Sequence, residues 1–222
     1  MTRINAIVEG QTEETFVRDV LSHHLAFSGK YVVARCVESS RSHGRIFRGG
    51  LLDFPRTLRD INRWLAEDTA AYVTTMFDFF RLPTDFPGMA KISNIQDPYV
   101  KVSILEQELA AAVNNPRFIP YIQLHEFETL LFSDVNIIDL VMSEFSTARS
   151  QITSLNAIAN SYRNPELINS SPQGAPSKRL GALYPGYNKV VFGFHISDLI
   201  GLPSIRGSCQ HFSNWVTCLE AL

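Results

Sequence analysis

Short apolar segments rich in β-forming residues alternate with helix-like segments through the first 133 residues, and this alternation limits the possible folds more than any other feature. A strand followed by a helix and then by another strand favours a mostly parallel sheet with helices on its faces. We therefore predict an α/β fold built around four strands. The strand-like segments are RINAIVEG (3–10), KYVVARCVES (30–39), AAYVTTMFDFF (70–80) and RFIPYIQL (117–124).

The second part of the chain has a different pattern. Residues 134–163 have a helical pattern, residues 164–188 are rich in Pro, Gly, Ser and Asn, and the final residues predict one or two short helices. A loop as long as 164–188 is unusual in a compact domain and indicates a functional role. We predict an α/β core over 1–133 and a helical, loop-rich C-terminal extension over 134–222, packed on the core as one structural domain.

Composition excludes several classes of protein. The 20 basic and 22 acidic residues give a net charge of -2, which excludes a uniformly basic nucleic-acid-binding surface but leaves room for a local basic patch. Cys36, Cys209 and Cys218 lack CxxC spacing and indicate reduced thiols, not a disulfide framework or a zinc site. No signal peptide or transmembrane segment is visible, so we expect a cytoplasmic protein with no membrane contact.

Acidic residues stand where three of the four predicted strands end. Because ligands of open α/β sheets bind beyond the carboxyl ends of the strands, we expect these side chains to share one crevice. Clustered carboxylates repel one another, and a set of oxygen ligands without His or Cys selects a hard ion, Mg²⁺ or Mn²⁺. Such an ion would hold a substrate phosphate. The candidate metal ligands are Glu9, Glu13, Asp78, Glu126 and Glu128.

Each of these acids also has an ordinary structural explanation. Glu13 and the neighbouring Glu14 would complement the macrodipole of the helix that they begin. Asp78 would form a turn, and the two acids after the fourth strand would be solvated helix residues. The joint placement of the acids at successive strand ends favours the metal site.

Glu-Gly-x-x-Glu after a first strand, with an Asp that ends a later strand, resembles the Toprim domain of topoisomerases, primases and OLD-type nucleases. Nearly the whole chain, from residue 8 to residue 220, is similar to one bacterial family that is usually regarded as Toprim-like, domain-of-unknown-function family 4276. Five ordered segments carry this similarity. They are VEGQTEETFV (8–17), MFDFFRLPTDFPG (76–88), IPYIQLHEFETLLFSD (119–134), APSKRL (175–180) and IRGSCQHFSNWVTCLE (205–220).

The resemblance implies a Toprim/Rossmann-like fold in which Glu9, Glu13 and Asp78 hold metal. Toprim domains usually carry Asp-x-Asp on the later strand, whereas the second position here is Phe80. Either an acid after the fourth strand replaces the missing ligand, or one metal site is absent. The resemblance also implies an AAA- or ABC-type ATPase partner and a place in an anti-phage defence system.

Two basic segments are candidate phosphate-binding sites. Hydrolysis of a phosphodiester needs positive charge near the developing oxyanion, and we assign that role to Lys178, in the predicted loop. The alternative for both segments is an ordinary solvated surface. The candidate phosphate-binding residues are Ser177, Lys178, Arg179, Arg41, Arg45 and Arg48.

Together these features predict a Mg²⁺- or Mn²⁺-dependent nuclease that hydrolyses DNA or RNA, with Glu9, Asp78 and Lys178 as catalytic residues. Two alternatives stay open. The first is a catalytically degenerate module that binds nucleic acid or a partner ATPase and regulates it, which Phe80 favours. The second is a metal-dependent phosphotransferase or hydrolase that uses the same acids on a nucleotide in a closed pocket.

Overall fold

The computed structural model of the protein describes residues 1–42, 45–48, 50–145, 149–169 and 174–222, with the backbone alone for 38–42 and 45–48. The strands are β1 (Thr2–Val8), β2 (Lys30–Cys36), β3 (Glu38–Ser42), β4 (Arg45–Arg48), β5 (Tyr72–Asp78), β6 (Phe118–Ile119) and β7 (Ile122–Gln123). The α-helices are α1 (Gln11–Phe16), α2 (Ser22–Ala26), α3 (Phe54–Glu67), α4 (Pro98–Val113), α5 (Val135–Phe145), α6 (Ile152–Asn160), α7 (Pro176–Leu183), α8 (Lys189–Ile200), α9 (Leu202–Ser208) and α10 (Gln210–Glu220). A π-helical turn at Val17–Leu21 joins α1 to α2, and 3-10 helices lie at Phe79–Arg81, Met89–Ile92, Phe127–Ser133 and Pro165–Leu167.

Five strands form one sheet in which each pair is parallel. The strand order is β2-β1-β5-β6, and β7 also pairs with β5. β1 and β5 are neighbours as far as the pair Val8↔Met76, close to the carboxyl ends of both strands. The α/β fold predicted from the alternating pattern is therefore confirmed, and the strand order brings the ends of β1 and β5 to one edge of the sheet.

Helices cover the central strands and bury them. Every residue of β5 after its first is buried. α3 packs on β5 and buries Ile61 and Leu65. The α3 N-terminus is fixed by Asp53, whose side chain accepts a hydrogen bond from the Arg56 N–H at 2.8 Å, the usual role of an N-cap aspartate.

The fourth predicted strand is interrupted. It forms β6 and β7 on either side of Pro120, whose nitrogen has no hydrogen to donate to a ladder. The Thr75 hydroxyl bridges the break: it donates to the Tyr121 carbonyl at 3.0 Å and accepts from the Tyr121 N–H at 2.9 Å. The strand register therefore resumes after the proline.

The prediction of one long loop over 164–188 is wrong. Its described residues include the 3-10 helix Pro165–Leu167 and the helix α7. A proline stands in the first turn of each, where its missing N–H costs nothing and its fixed φ favours a helix. The C-terminal end forms three helices, α8, α9 and α10, in place of one or two.

The chain divides into two compact units. The first comprises Met1–Gln123 and Leu219–Leu222 and holds the seven strands β1–β7, and the described residues of the second, Leu124–Cys218, form helices and their connections. In the part of the chain that the structure describes, every helix is too short or too polar to cross a membrane.

Candidate functional site

Glu9 and Glu13 lie at the junction between β1 and α1, in the first unit. Gly10 separates them: it is the N-cap of α1 in an extended conformation, and its carbonyl accepts from the Glu14 N–H at 3.0 Å. A methyl group at Gly10 would lie 3.1 Å from Glu13 Oε2, closer than side-chain carbons normally approach. The glycine therefore gives the Glu13 carboxylate room to fold back toward the end of β1.

Asp78 ends β5, next to the end of β1. Its backbone N–H donates to Glu9 Oε2 at 3.3 Å, so the two strand ends are linked directly. Glu9, Glu13 and Asp78 are 7%, 2% and 2% exposed, respectively. The structure thus brings three predicted metal ligands of the first unit to one edge of the sheet and buries all three.

Burial of three carboxylates carries a desolvation penalty because each charge leaves water. In real proteins this penalty is on the order of several kcal/mol per ion. Arg81, in the 3-10 turn after β5, places its Nε 4.0 Å from Glu9 Oε1, but its side chain is 61% exposed. Among the described residues, no group of three Asp, Glu, His or Cys side chains is arranged to hold a metal ion as it stands. The three carboxylates therefore lie near one another, but their oxygens are not arranged around one metal position.

Phe80 lies in the same 3-10 turn and is 39% exposed. It lies two residues beyond Asp78 in the sequence, at the position where the resemblance described above would have a second acid. The half-exposed ring offers no ligand atom. Phe80, which replaces the expected acid, thus lies two residues after Asp78, one of the three buried carboxylates.

Glu126 and Glu128 lie in the second unit, at the start of the 3-10 helix Phe127–Ser133. Glu128 is 1% exposed, and the Glu126 Oε2 accepts the Ser177 N–H at 3.1 Å. Burial, with the nearby charges of Glu128 and Glu126, raises the pKa of Tyr187 well above its ordinary value. The Tyr187 hydroxyl therefore lies close enough to both glutamates for their charges to act on it. The prediction that the two glutamates join Glu9 and Asp78 stays a prediction.

Ser177, Lys178 and Arg179 occupy the first turn of α7 and not a loop. The Glu126 contact with the Ser177 N–H satisfies one backbone donor at the start of this helix. Arg179 is held in the structure, with its Nε donating to the Gly174 carbonyl at 2.7 Å and its Nη2 to the Tyr162 hydroxyl at 2.8 Å. Lys178 is exposed, so of the two cations it is the one placed to meet a ligand.

Arg41, Arg45 and Arg48 belong to an antiparallel hairpin of β3 and β4. Their side chains lie outside the described part of the structure, so their assignment to phosphate stays a prediction. Sequence reasoning missed Arg81, although its position three residues after Asp78 on the same turn is a usable signal. It also missed Tyr187, for which the sequence gives no signal because only tertiary packing brings the ring to the glutamates.

Comparison with known proteins gives one family and one group of structures. Residues 8–220 match the family described as Domain of unknown function (DUF4276), and no curated protein matches significantly. Three structures of the C-terminal region of the Xanthomonas campestris pv. campestris OLD protein, phased with platinum, mercury and iodine, are similar. They are 14%, 15% and 14% identical to the chain, with TM-scores of 0.36, 0.35 and 0.36. The matches cover 98%, 98% and 100% of this chain and 95%, 98% and 99% of those chains.

Proposed function

The chain belongs to the Domain of unknown function (DUF4276) family, so its chemistry must be argued from its own residues, and we propose that it is a metal-dependent nuclease that hydrolyses phosphodiester bonds. Glu9, Glu13 and Asp78 would hold Mg²⁺ or Mn²⁺. One observation carries the proposal: Glu9 and Glu13 after β1 and Asp78 at the end of β5, which is distant from them in sequence, are buried together at the carboxyl edge of the two central parallel strands.

The donor set fits a hard divalent ion because it offers carboxylate oxygens alone. As the side chains stand, no three Asp, Glu, His or Cys of the described residues are arranged to hold an ion, so binding would require the carboxylates to rotate toward one another. When bound, a hard divalent ion polarises a phosphoryl oxygen and lowers the pKa of a coordinated water.

The chain's own residues would orient the site and supply positive charge. The Asp78 N–H holds Glu9 through its Oε2 and fixes that side chain at the edge of the sheet. Arg81, exposed beside Glu9, would contact a phosphate oxygen, since a planar guanidinium matches phosphate geometry. Lys178 would stabilise charge that develops on the phosphate, the role assigned to it from the sequence.

A cleavage assay with paired variants tests this proposal. Plasmid, single-stranded DNA and RNA would be incubated with the protein in Mg²⁺, Mn²⁺ or EDTA. Glu13→Gln should abolish metal-dependent cleavage. Glu14→Gln, which removes the same charge from the next residue of α1, should keep it. Equal activity of the two variants, or undiminished cleavage in EDTA, would overturn the proposal.

Phe80 favours a second candidate, a degenerate module that binds metal and nucleic acid but does not cleave. A half-exposed phenyl ring next to Asp78 supplies no metal ligand, so the site would hold fewer ions than a complete one. Metal binding at Glu9 without cleavage of any of the three substrates would support this candidate over the nuclease.

We also propose that the protein works in the cytoplasm beside an AAA- or ABC-type ATPase, as part of anti-phage defence. The support is the motif resemblance described above. The cleavage assay would be repeated with the product of any ATPase gene encoded alongside. A rate that does not change with ATPase and ATP would count against this partner.

A further inference from the structure

A groove lies on the face of the first unit that carries the odd-numbered residues of β1 and β2. Because β1 and β2 are parallel, Arg3 pairs with Tyr31 and Asn5 pairs with Val33 in the ladder, and alternate residues of a strand share a face. These four side chains line a cavity of about 290 Å³ together with residues at the end of α3. The volume is close to the lower end for small-ligand sites, about 300 Å³.

One wall of this groove is a stacked pair. The Arg35 guanidinium carbon lies 4.0 Å from the centre of the Trp64 ring, a close cation–π contact. Arg35 and Trp64 also line an adjoining depression of about 20 Å³, so the pair lies between two hollows. A guanidinium carries five N–H donors, so a contact with the ring leaves donors available to a ligand.

The acids of the groove each have their own arginine. Asp68 accepts two hydrogen bonds from Arg3, at 2.7 and 2.9 Å, and Glu67 accepts from Arg63 at 2.7 Å. Arg35 has no carboxylate partner among the described residues. Among the described residues the Arg35 guanidinium therefore contacts Trp64 and makes no ion pair, although Asp60 also lines the adjoining depression.

An aromatic ring lies at the open side of the groove. Tyr31 is 53% exposed and belongs to β2, the outermost strand of the five-stranded sheet. Tyr31 and Arg35 share one face of β2 about 13 Å apart, so a strand of several nucleotides can stack a base on the ring while a phosphate further along its backbone meets the cation. Asn5, between them on β1, offers both a donor and an acceptor to a base edge.

From these features we infer that the groove formed by Arg3, Asn5, Tyr31, Val33, Arg35 and Trp64 binds a segment of single-stranded nucleic acid. Tyr31 stacks on a base, and Arg35, held by Trp64, contacts a backbone phosphate. A duplex does not fit this arrangement because its bases are already stacked on each other and leave no free face. The groove is separate from Glu9, Glu13 and Asp78, so it binds strand without cleaving it.

EDTA removes the divalent ion that the proposed nuclease needs, so binding of nucleic acid to the groove can be measured in EDTA without cleavage. A failure of this inference can thus be told apart from a failure of the nuclease proposal. A fluorescein-labelled 12-nucleotide oligo-dT and the matching RNA would be titrated by fluorescence anisotropy into the intact protein, with a duplex of equal length for comparison. Arg35→Ala and Tyr31→Ala should each weaken single-strand binding by about tenfold, within the range measured for removal of a stacking group. Both residues are exposed, and circular dichroism would verify the fold of each variant.

Arg59→Ala is the matched control. Arg59 is also an exposed arginine, on α3 like Trp64, but it does not line the groove. Arg59→Ala should leave the affinity for the oligonucleotide unchanged. Arg35→Lys should lose most of that affinity, because an ammonium group does not present a planar fork of donors. If Arg35→Ala and Arg59→Ala lose the same affinity for the oligonucleotide, the loss comes from the change in net charge and the inference is overturned.

Three further results would also overturn the inference. They are absence of oligonucleotide binding by the wild-type protein, binding of duplex as tightly as single strand, and binding of free AMP as tightly as the oligonucleotide. The last result would identify a mononucleotide site. If the wild-type protein binds the oligonucleotide in EDTA but cleaves none of the substrates with metal present, only the nuclease proposal is contradicted.

Discussion

Glu166 should be among the most important side chains for the stability of the second unit. It has no exposed surface, and its carboxylate accepts the backbone N–H groups of His211 at 3.1 Å and Phe212 at 2.9 Å. Both donors belong to the first turn of α10, where a helix leaves its N–H groups without internal partners. The carboxylate also lies at the positive end of the helix macrodipole.

Glu166→Ala removes the carboxylate oxygens that accept these two hydrogen bonds. A hydrogen bond to a charged group contributes about 1.5–3 kcal/mol, so the loss should total about 3–6 kcal/mol. Urea unfolding followed by circular dichroism would measure it. At about 2–4 °C per kcal/mol for a chain of this size, the melting temperature should fall by about 6–24 °C.

Two further variants make this test specific. Glu166→Gln keeps one acceptor oxygen and should lose less stability than Glu166→Ala. Glu144→Ala removes an exposed glutamate of α5 in the same unit and should change the free energy of unfolding by less than about 0.5 kcal/mol. If Glu166→Ala unfolds at the same urea concentration as Glu144→Ala, the carboxylate does not hold α10 and the reasoning is refuted.

Three other variants have defined outcomes. Lys178→Ala should slow cleavage on the order of 10²–10³-fold and leave Mn²⁺ affinity unchanged, whereas a wild-type rate would return Lys178 to the ordinary surface charges. Burial raises the pKa of Asp139, but hydrogen bonds from Ser150 and Tyr184 outweigh it and leave the pKa below its ordinary value of 3.8. The contribution of Asp139 to stability is therefore complete above about pH 4 and is lost as pH falls through the lower folded-state pKa. In urea unfolding measured at a series of pH values, Asp139→Asn should reduce the loss of stability below about pH 4. An unchanged loss of stability in acid would contradict this. Arg117 donates to three backbone carbonyls of α3 and the turn that follows it, at 2.7–3.0 Å, so Arg117→Ala should cost about 2–4 kcal/mol in urea unfolding, and a cost near zero would contradict this.

The first strand, its glycine and the helix that follows could be predicted because their signals are local. The apolar run of β1 ends at Glu9-Gly10, and the acids then follow within one helical turn. The general rule that parallel strands end at one edge then placed Asp78 beside Glu9, and the structure has that arrangement.

The segment around Glu166 and α7 could not be predicted because its order comes from distant partners. Its Pro- and Ser-rich composition is typical of loops, yet Glu166 binds the start of α10 and Glu126 binds the start of α7. Each of these contacts joins residues more than forty positions apart. Periodicity within a short window contains no information about such contacts.

The groove at Arg35, in the first unit, illustrates the same limit. β2 alternates buried and exposed residues in the sequence KYVVARC, which is typical of any half-covered strand. Only the packing of α3 places Trp64 against the Arg35 guanidinium and leaves the adjacent part of the sheet face open.

Metal affinity at the strand ends tests the central claim most directly. Mn²⁺ would be titrated calorimetrically into metal-free wild-type protein and into Glu9→Gln, Asp78→Asn and the control Glu14→Gln. We predict saturable Mn²⁺ binding by the wild type and the control, with at least about tenfold weaker binding, 1.4 kcal/mol, in the other two variants. Equal affinity in all four proteins, or no binding by the wild type at millimolar Mn²⁺, would contradict a metal centre formed by these carboxylates.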